Sequence, residues 1–312
     1  FEHLMFGGSV NIPEFDAPLQ LAGGENNAFT SNDITNYYDV LPVNNIETAL
    51  WLESDRMKSL AFTPKSLEVQ RSVVIEEFKQ RYLNQPYGDV WLELRPLVYK
   101  AHPYKWATIG KEIKHIEDAT MDDVKGFFKK FYHPANAIMC IGGNMELDEV
   151  KRVVEKWFGD IPAGEKNERN LPQEPKQTEY REKTILRAVP TDAFYYSFRM
   201  EDRLHPDYLI YDTLSDVLGR DKSSRLYKSL KKEQNLVSSI NAYVTGSVDS
   251  GLLIISGKLS DGITFEQLDT ALWKELGLLI QSTVSDDELN RIKVKIRSSN
   301  EFQQEAVLNR AM

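Results

Sequence analysis

Two neighbouring stretches decide how this chain reads: FEHLMFGGS at Phe1–Ser9 and LAGGENNAFTSNDITNYYDVLPV at Leu21–Val43. The first sets a carboxylate and an imidazole, Glu2 and His3, side by side ahead of an apolar run and two glycines. The second alternates apolar and polar residues, is rich in Thr, Tyr and Phe, and carries SND between its two runs, which predicts a β-hairpin. Gly23 and Gly24 allow a tight turn into it. On a helix, a residue four positions before His3 shares its face, and a glutamate between the two comes within reach of a metal-activated water. The pattern H-x-x-E-H is therefore a zinc site with its base built in, and here x-E-H is present. A chain starting FEHLMF lacks a plausible start, so the reading expects an N-terminus, and any targeting segment in it, to have been cut away.

Working outward, Ile46, Ala49, Leu50, Met57 and Leu60 recur at helical spacing, and Thr63-Pro64 ends that helix and opens another. SLEVQRSVVIEEFKQRYLNQP (Ser66–Pro86) is expected to be helical up to Pro86. Its apolar stripe through Val73 and Val74 puts Glu77 on the same face, with Gln70 one turn behind that stripe, whereas Glu76 points to the flank. A carboxylate on an apolar face has to be paired, protonated or bound to metal.

Farther along, Thr120 caps the amphipathic TMDDVKGFFKKFYHP, NAIMCIGG (Asn136–Gly143) reads as a strand, and LDEVKRVVEKWFGDIP (Leu147–Pro162) as a helix. Cys140 is the only cysteine and lies in that apolar strand, so it is expected to be a small buried hydrophobe; neither a disulfide nor a cysteine-based zinc cage is available. AGEKNERNLPQEPKQTEYREK (Ala163–Lys183) is polar, proline-bearing and aperiodic, a linker. Beyond it come a helix at His205–Gly219, strand pairs in Ser238–Leu259 and helices from Thr264 and Ser285; the last runs to Met312 without a cap and reads as cut too. With 312 residues, too many for one ordinary core, this grammar suggests two α+β layers joined by the linker.

The net charge of −9 and the absence of a Lys/Arg-dominated segment argue against nucleic-acid or anionic-membrane binding, and no apolar run is long enough to span a bilayer. His102 and His133 precede prolines in loops and His115 lies in a charged helix start, contexts that favour structural or surface roles.

In order, FEHLMFGGS, GGENNAFTSNDITNYYDV, VVIEEF, YHPANAIMCIGG and SSRLYKSL resemble the pitrilysin or insulinase-type zinc peptidases, which include the mitochondrial processing peptidases. The resemblance covers essentially the whole chain. It implies an α+β fold of two similar domains, each a mainly antiparallel sheet with helices packed on one face, the LuxS/MPP-like metallohydrolase fold, with domains at 1–164 and 181–312 and a linker at 165–180. It implies Zn2+ as cofactor, Glu2 as catalytic base, His3 as second histidine ligand and Glu77, 74 positions beyond His3, as third ligand. The first histidine ligand is absent from this chain and is expected in the full-length protein; without it the chain should bind zinc poorly and be inactive.

Asn27, Ala28 and Phe29 are candidates for an edge strand that a peptide substrate extends, with Phe29 also readable as a core residue; Gln70 and Glu76 are candidates for the shell behind the metal. Active relatives carry an arginine and, seven positions later, a tyrosine after the S-S-R-L-Y motif. Lys231 and Ser238 stand at those places, and neither replaces the lost function. Arg225 and Tyr227 are expected to pack or cap. The reading is a zinc endopeptidase acting on peptides or small unfolded polypeptides inside a clamshell chamber, the metal-bearing subunit of a heterodimer whose paralogous partner supplies the Arg/Tyr pair. The alternative is a non-catalytic scaffold or peptide-binding subunit. The compartment stays open, with the bacterial cytoplasm or periplasm favoured.

Overall fold

The computed structural model describes all 312 residues, which fall into two compact units. One comprises Phe1–Asn84, Trp106–Pro172 and Gln303–Met312; the other comprises Gln85–Lys105 and Gln173–Phe302. In chain order the helices are α1 (Asp16–Leu21), α2 (Ile46–Lys58), α3 (Pro64–Phe78), α4 (Val90–Val98), α5 (Ile113–Glu117), α6 (Met121–Phe131), α7 (Leu147–Phe158), α8 (Tyr208–Leu218), α9 (Phe265–Gln281), α10 (Asp286–Glu305) and α11 (Val307–Ala311). The strands are β1 (Glu25–Thr30), β2 (Thr35–Val40), β3 (Ala193–Met200), β4 (Val237–Val244) and β5 (Gly251–Leu259).

The expected hairpin forms: β1 and β2 pair antiparallel from Glu25↔Val40 to Thr30↔Thr35. Ser31 builds the turn, its hydroxyl accepting from the N–H groups of Asp33 and Ile34 at 3.2 and 3.1 Å. Capping boxes start three helices where the sequence places them, Thr63 with Ser66, Thr120 with Asp123 and Thr264 with Gln267.

In the second unit the antiparallel sheet runs β3-β5-β4, and β5 carries the apolar run GLLIISGKL. A run without alternation is what a strand covered on both faces needs. Leu253, Ile255 and Leu259 pack with Leu218, Leu226, Leu230, Leu268 and Leu272, whereas Leu252 and Ile254 face Leu94, Val98, Tyr99 and Tyr104. The α4 segment therefore supplies a second apolar cover, although it precedes the polar segment by some seventy residues. That polar segment is strapped to it. Glu174 accepts from the backbone N–H groups of Lys100, Ala101 and His102 at 2.7–2.8 Å. Arg181 donates to the Leu97 and Val98 carbonyls at the end of α4 at 3.1 and 3.4 Å, Lys183 pairs with Glu93, and Arg187 pairs with Asp89 at 2.8 Å. Partners 174, 181, 183 and 187 meet 100–102, 97–98, 93 and 89, so the strap runs antiparallel to α4. Burial would raise the Glu174 carboxyl, but the three N–H donors outweigh it and hold it below the usual range.

Several expectations need correcting. Residues 137–143 pair with no strand, and Ile138 is almost fully exposed. Cys140 is consequently exposed rather than buried. Extended backbone does not bury its side chains without a neighbouring strand, and what lies against this stretch is α11, with Val307 Cγ1 only 3.1 Å from where a Cβ on Gly142 would sit. The last helix is two, broken at Ala306. The helix read through to Pro86 stays α only to Phe78, then widens into a π-turn over Lys79–Leu83.

Candidate metal and substrate site

All the residues singled out near the front of the chain belong to the first unit. Glu2–Phe6 forms a 3₁₀ turn rather than an α-helical one, anchored by the buried Leu4 and Met5, which pack with Leu60 and Val124. Gly7 ends it, and the next residue, Gly8, sits at φ +85° where any Cβ would lie 2.4 Å from the Pro13 carbonyl oxygen, so glycine is required there. Below the turn the Arg56 guanidinium is buried among three rings, 5.7 Å from Phe6, 4.2 Å from Phe15 and 4.6 Å from Tyr37, and bonds Glu53 through Nε at 2.8 Å. These contacts hold the turn, α2 and β2 together.

His3 Nε2 lies 3.3 Å from Glu77 Oε2. Two ligands about 2 Å from one tetrahedral ion lie roughly that far apart, so the pair fits two positions of a zinc sphere. Both side chains are partly accessible, which a site open to substrate needs. The other Glu77 oxygen, Oε1, meets the Arg81 guanidinium at 3.1 Å. No group of three His, Cys, Asp or Glu side chains converges to complete a sphere. Glu77 is reached across a face that is less apolar than its spacing suggests. Val73 is 43% exposed and Phe78 is the one fully buried residue of α3, because Leu67, Val74 and Ile75 are only half covered. Gln70 is half-buried two turns before Glu77, and Glu76 is exposed and paired with Lys79 at 2.7 Å.

Glu2 accepts a hydrogen bond at Oε2 from the Thr30 hydroxyl. That ties the turn to the last residue of β1, whose strand has β2 on one side only. Asn27, Ala28 and Phe29 lie on β1; the Ala28 N–H is met by the Asn27 carboxamide oxygen at 2.8 Å, and Phe29 is 41% exposed, not a core residue. Close by, the Tyr37 and Tyr132 hydroxyls share a hydrogen bond of 2.8 Å, and burial pushes both phenols up, with the Glu2 charge adding to the rise.

The family follows from two matches. Residues 118–295 match the profile described as "Peptidase M16 inactive domain", and residues 1–95 match "Insulinase (Peptidase family M16)". The chain belongs to peptidase family M16. M16 relatives include "Zinc protease PqqE" of Helicobacter pylori, 28% identical across 94% of this chain and 67% of the relative. "Uncharacterized zinc protease YmxG" of Bacillus subtilis is 26% identical across 96% and 72%. The beta subunit of the mitochondrial-processing peptidase of Saccharomyces cerevisiae is 23% identical across 96% and 67%. A protease of Helicobacter pylori has the same fold at a TM-score of 0.91 and 28% identity, over 99% of this chain and 76% of that one. An M16 inactive domain of Pseudomonas fluorescens shares the fold at a TM-score of 0.83 and 18% identity, over 95% and 72%. The α+β architecture with small antiparallel sheets is therefore the M16 fold.

The residues singled out in the second unit, Lys231, Ser238, Arg225 and Tyr227, are engaged locally. Lys231 donates to the Ser238 carbonyl and lies 5.4 Å from the Tyr227 ring. Arg225 forks onto Glu288 at 2.8 and 2.9 Å, and those bonds hold the Glu288 carboxyl down at about 2. The remaining histidines have structural partners. His102 accepts from Tyr104 N at Nδ1, so Nε2 carries the hydrogen it shares with Asp249 at 3.1 Å. His133 bonds the Ala163 carbonyl and His115 lies beside Glu112. Sequence reading missed Arg81 and Thr30. The i,i+4 spacing of Glu77 and Arg81 was the available signal for the first; nothing in the spacing announces the second. No helix is long and apolar enough to cross a membrane.

Proposed function

We propose that this chain is the metal-bearing half of a zinc endopeptidase that hydrolyses peptides or small unfolded polypeptides. The observation that carries the reading is the 3.3 Å approach of His3 to Glu77, residues 74 apart in sequence, beside a glutamate held by its own hydrogen bond. His3 and Glu77 hold the metal, and the motif's first histidine, four positions before His3, is the third donor the reading requires. Bound zinc supplies Lewis acidity toward water and toward the scissile carbonyl. Glu2 takes the proton from the attacking water and passes it to the leaving amine. Arg81, on the outer Glu77 oxygen, orients that carboxylate, and Gln70 and Glu76 lie along the same helix as its outer support. Asn27, Ala28 and Phe29 offer a strand edge to which an extended peptide adds, the Asn27 carboxamide giving way to the substrate carbonyl at the Ala28 N–H.

Lys231 and Ser238 do not supply the Arg/Tyr pair of active relatives, so a paralogous partner chain completes the site in a closed chamber. A second reading, a non-catalytic scaffold or peptide-binding subunit, draws support from the inactive-domain profile over residues 118–295. Glu2→Gln separates them. With an internally quenched unstructured peptide and the full-length protein with its partner, turnover should fall about 10²–10⁴-fold while zinc content is unchanged. Equal cleavage by the variant and the parent, or no zinc in either, refutes the peptidase reading.

A further inference from the structure

Glu2 reaches solvent from a short 3₁₀ turn, where an extended carboxylate has several rotamers open to it. What restricts it is a hydroxyl on another element. Thr30 closes β1 one residue before the turn, and its Oγ1 donates to Glu2 Oε2 while lying 3.2 Å from the Oγ1 of Thr35, its register partner across the hairpin. The hairpin end is itself fixed. Ser31 N–H bonds the Ile34 carbonyl at 2.8 Å, the Ser31 hydroxyl takes the next two N–H groups, and Arg169 pairs with Asp33 at 2.9 Å. The Tyr37–Tyr132 pair lies beside Thr35, with which Tyr132 shares a hydrogen bond, near enough for the Glu2 charge to act on both phenols.

We propose that Thr30 is a positioning residue for the proton-accepting glutamate, oriented by Thr35 and fixing Glu2 through Oε2 so that Oε1 is the oxygen that takes the proton. This rests on the peptidase reading above. A threonine hydroxyl suits the task because it donates to the charged carboxylate without introducing a competing charge, and its β-branch keeps its rotamer stiff. The arrangement also couples the substrate strand to the base. Asn27–Phe29 and Thr30 are consecutive on β1, so any shift of that strand on taking up a peptide moves the group that aims Glu2.

The test uses Thr30→Val, which keeps shape and strand preference but loses the hydroxyl, and Thr30→Ser, which restores it, both in the full-length protein with its partner. Thr30→Val should lower kcat about tenfold with KM and zinc affinity unchanged, since the base remains but is no longer aimed. Thr30→Ser should recover most of that loss, and Thr35→Val should cost about twofold. Independently of turnover, the Glu2 side-chain carboxyl 13C resonance in zinc-free protein, assigned by its disappearance in Glu2→Gln, should move in Thr30→Val and return in Thr30→Ser. An unmoved resonance with wild-type kcat in Thr30→Val overturns the proposal, as does a rise in KM alone, which would make Thr30 a substrate-strand residue. A fully active Glu2→Gln would instead sink the peptidase reading beneath it.

Discussion

The sheet of the second unit and the hairpin of the first are both antiparallel but are used in opposite ways. β5 is sealed on both faces, with Ile254 and Ile255 fully buried, and it carries no candidate chemistry. The β1–β2 hairpin has one neighbour per strand and is half exposed, and its contacts are polar: Thr30 to Glu2, Asn27 to Ala28, and Tyr37 over Arg56. Apolar burial makes the stable scaffold, and the reactive groups sit where burial is partial and hydrogen bonds set geometry.

The largest way to break that contrast is Arg56→Ala. Its guanidinium is buried against Phe15 and Tyr37 and balances Glu53, so removal should cost about 3–5 kcal/mol of stability, read in a denaturant melt. A loss under about 1 kcal/mol would mean that the polar side of the molecule is not held by this residue. In the sheet, Ile254→Ala should cost about 2–5 kcal/mol through the cavity it leaves between β5 and α4. The same melt should show it, with helical content otherwise retained.

Asp39 gives a smaller, pH-dependent difference. Burial, then the neighbouring Glu53 carboxylate, push it up to about 8 against the partial relief of Arg56. Its unfolded value is about 3.9, so the folded state binds this proton more tightly, and the stability it contributes is complete below about pH 4 and lost as pH rises through about 8. Urea midpoints should decline over that window, and Asp39→Asn should flatten the decline; an unchanged slope would show that the shift is absent. Least of all, Phe29→Ala should change stability by no more than about 0.5 kcal/mol, because its ring is exposed. A cost of several kcal/mol would return Phe29 to the core and weaken its assignment to the substrate strand.

Much of this was legible beforehand, and for identifiable reasons. Local signals carried over: the SND hairpin, the capping Thr120, and the helix starts at Thr63-Pro64 and Thr264. The convergence of His3 and Glu77 was anticipated from the family resemblance, and residue spacing alone did not reveal it. What escaped depends on distant partners. GLLIISG does not announce that residues 91–104 cover its other face. NAIMCIGG has strand composition but no strand beside it, so Cys140 ends exposed. Thr30 looks like any strand threonine until the turn bearing Glu2 is packed against it.

The account stands on one shared ion. Zinc titration of full-length protein with its partner, comparing His3→Ala, Glu77→Ala and the double variant, tests it most directly. Each single change should abolish tight binding, with the double variant no worse than either, while Glu2→Gln binds as the parent does. Retention of one tightly bound zinc by either single variant would contradict the claim that these two side chains share a metal.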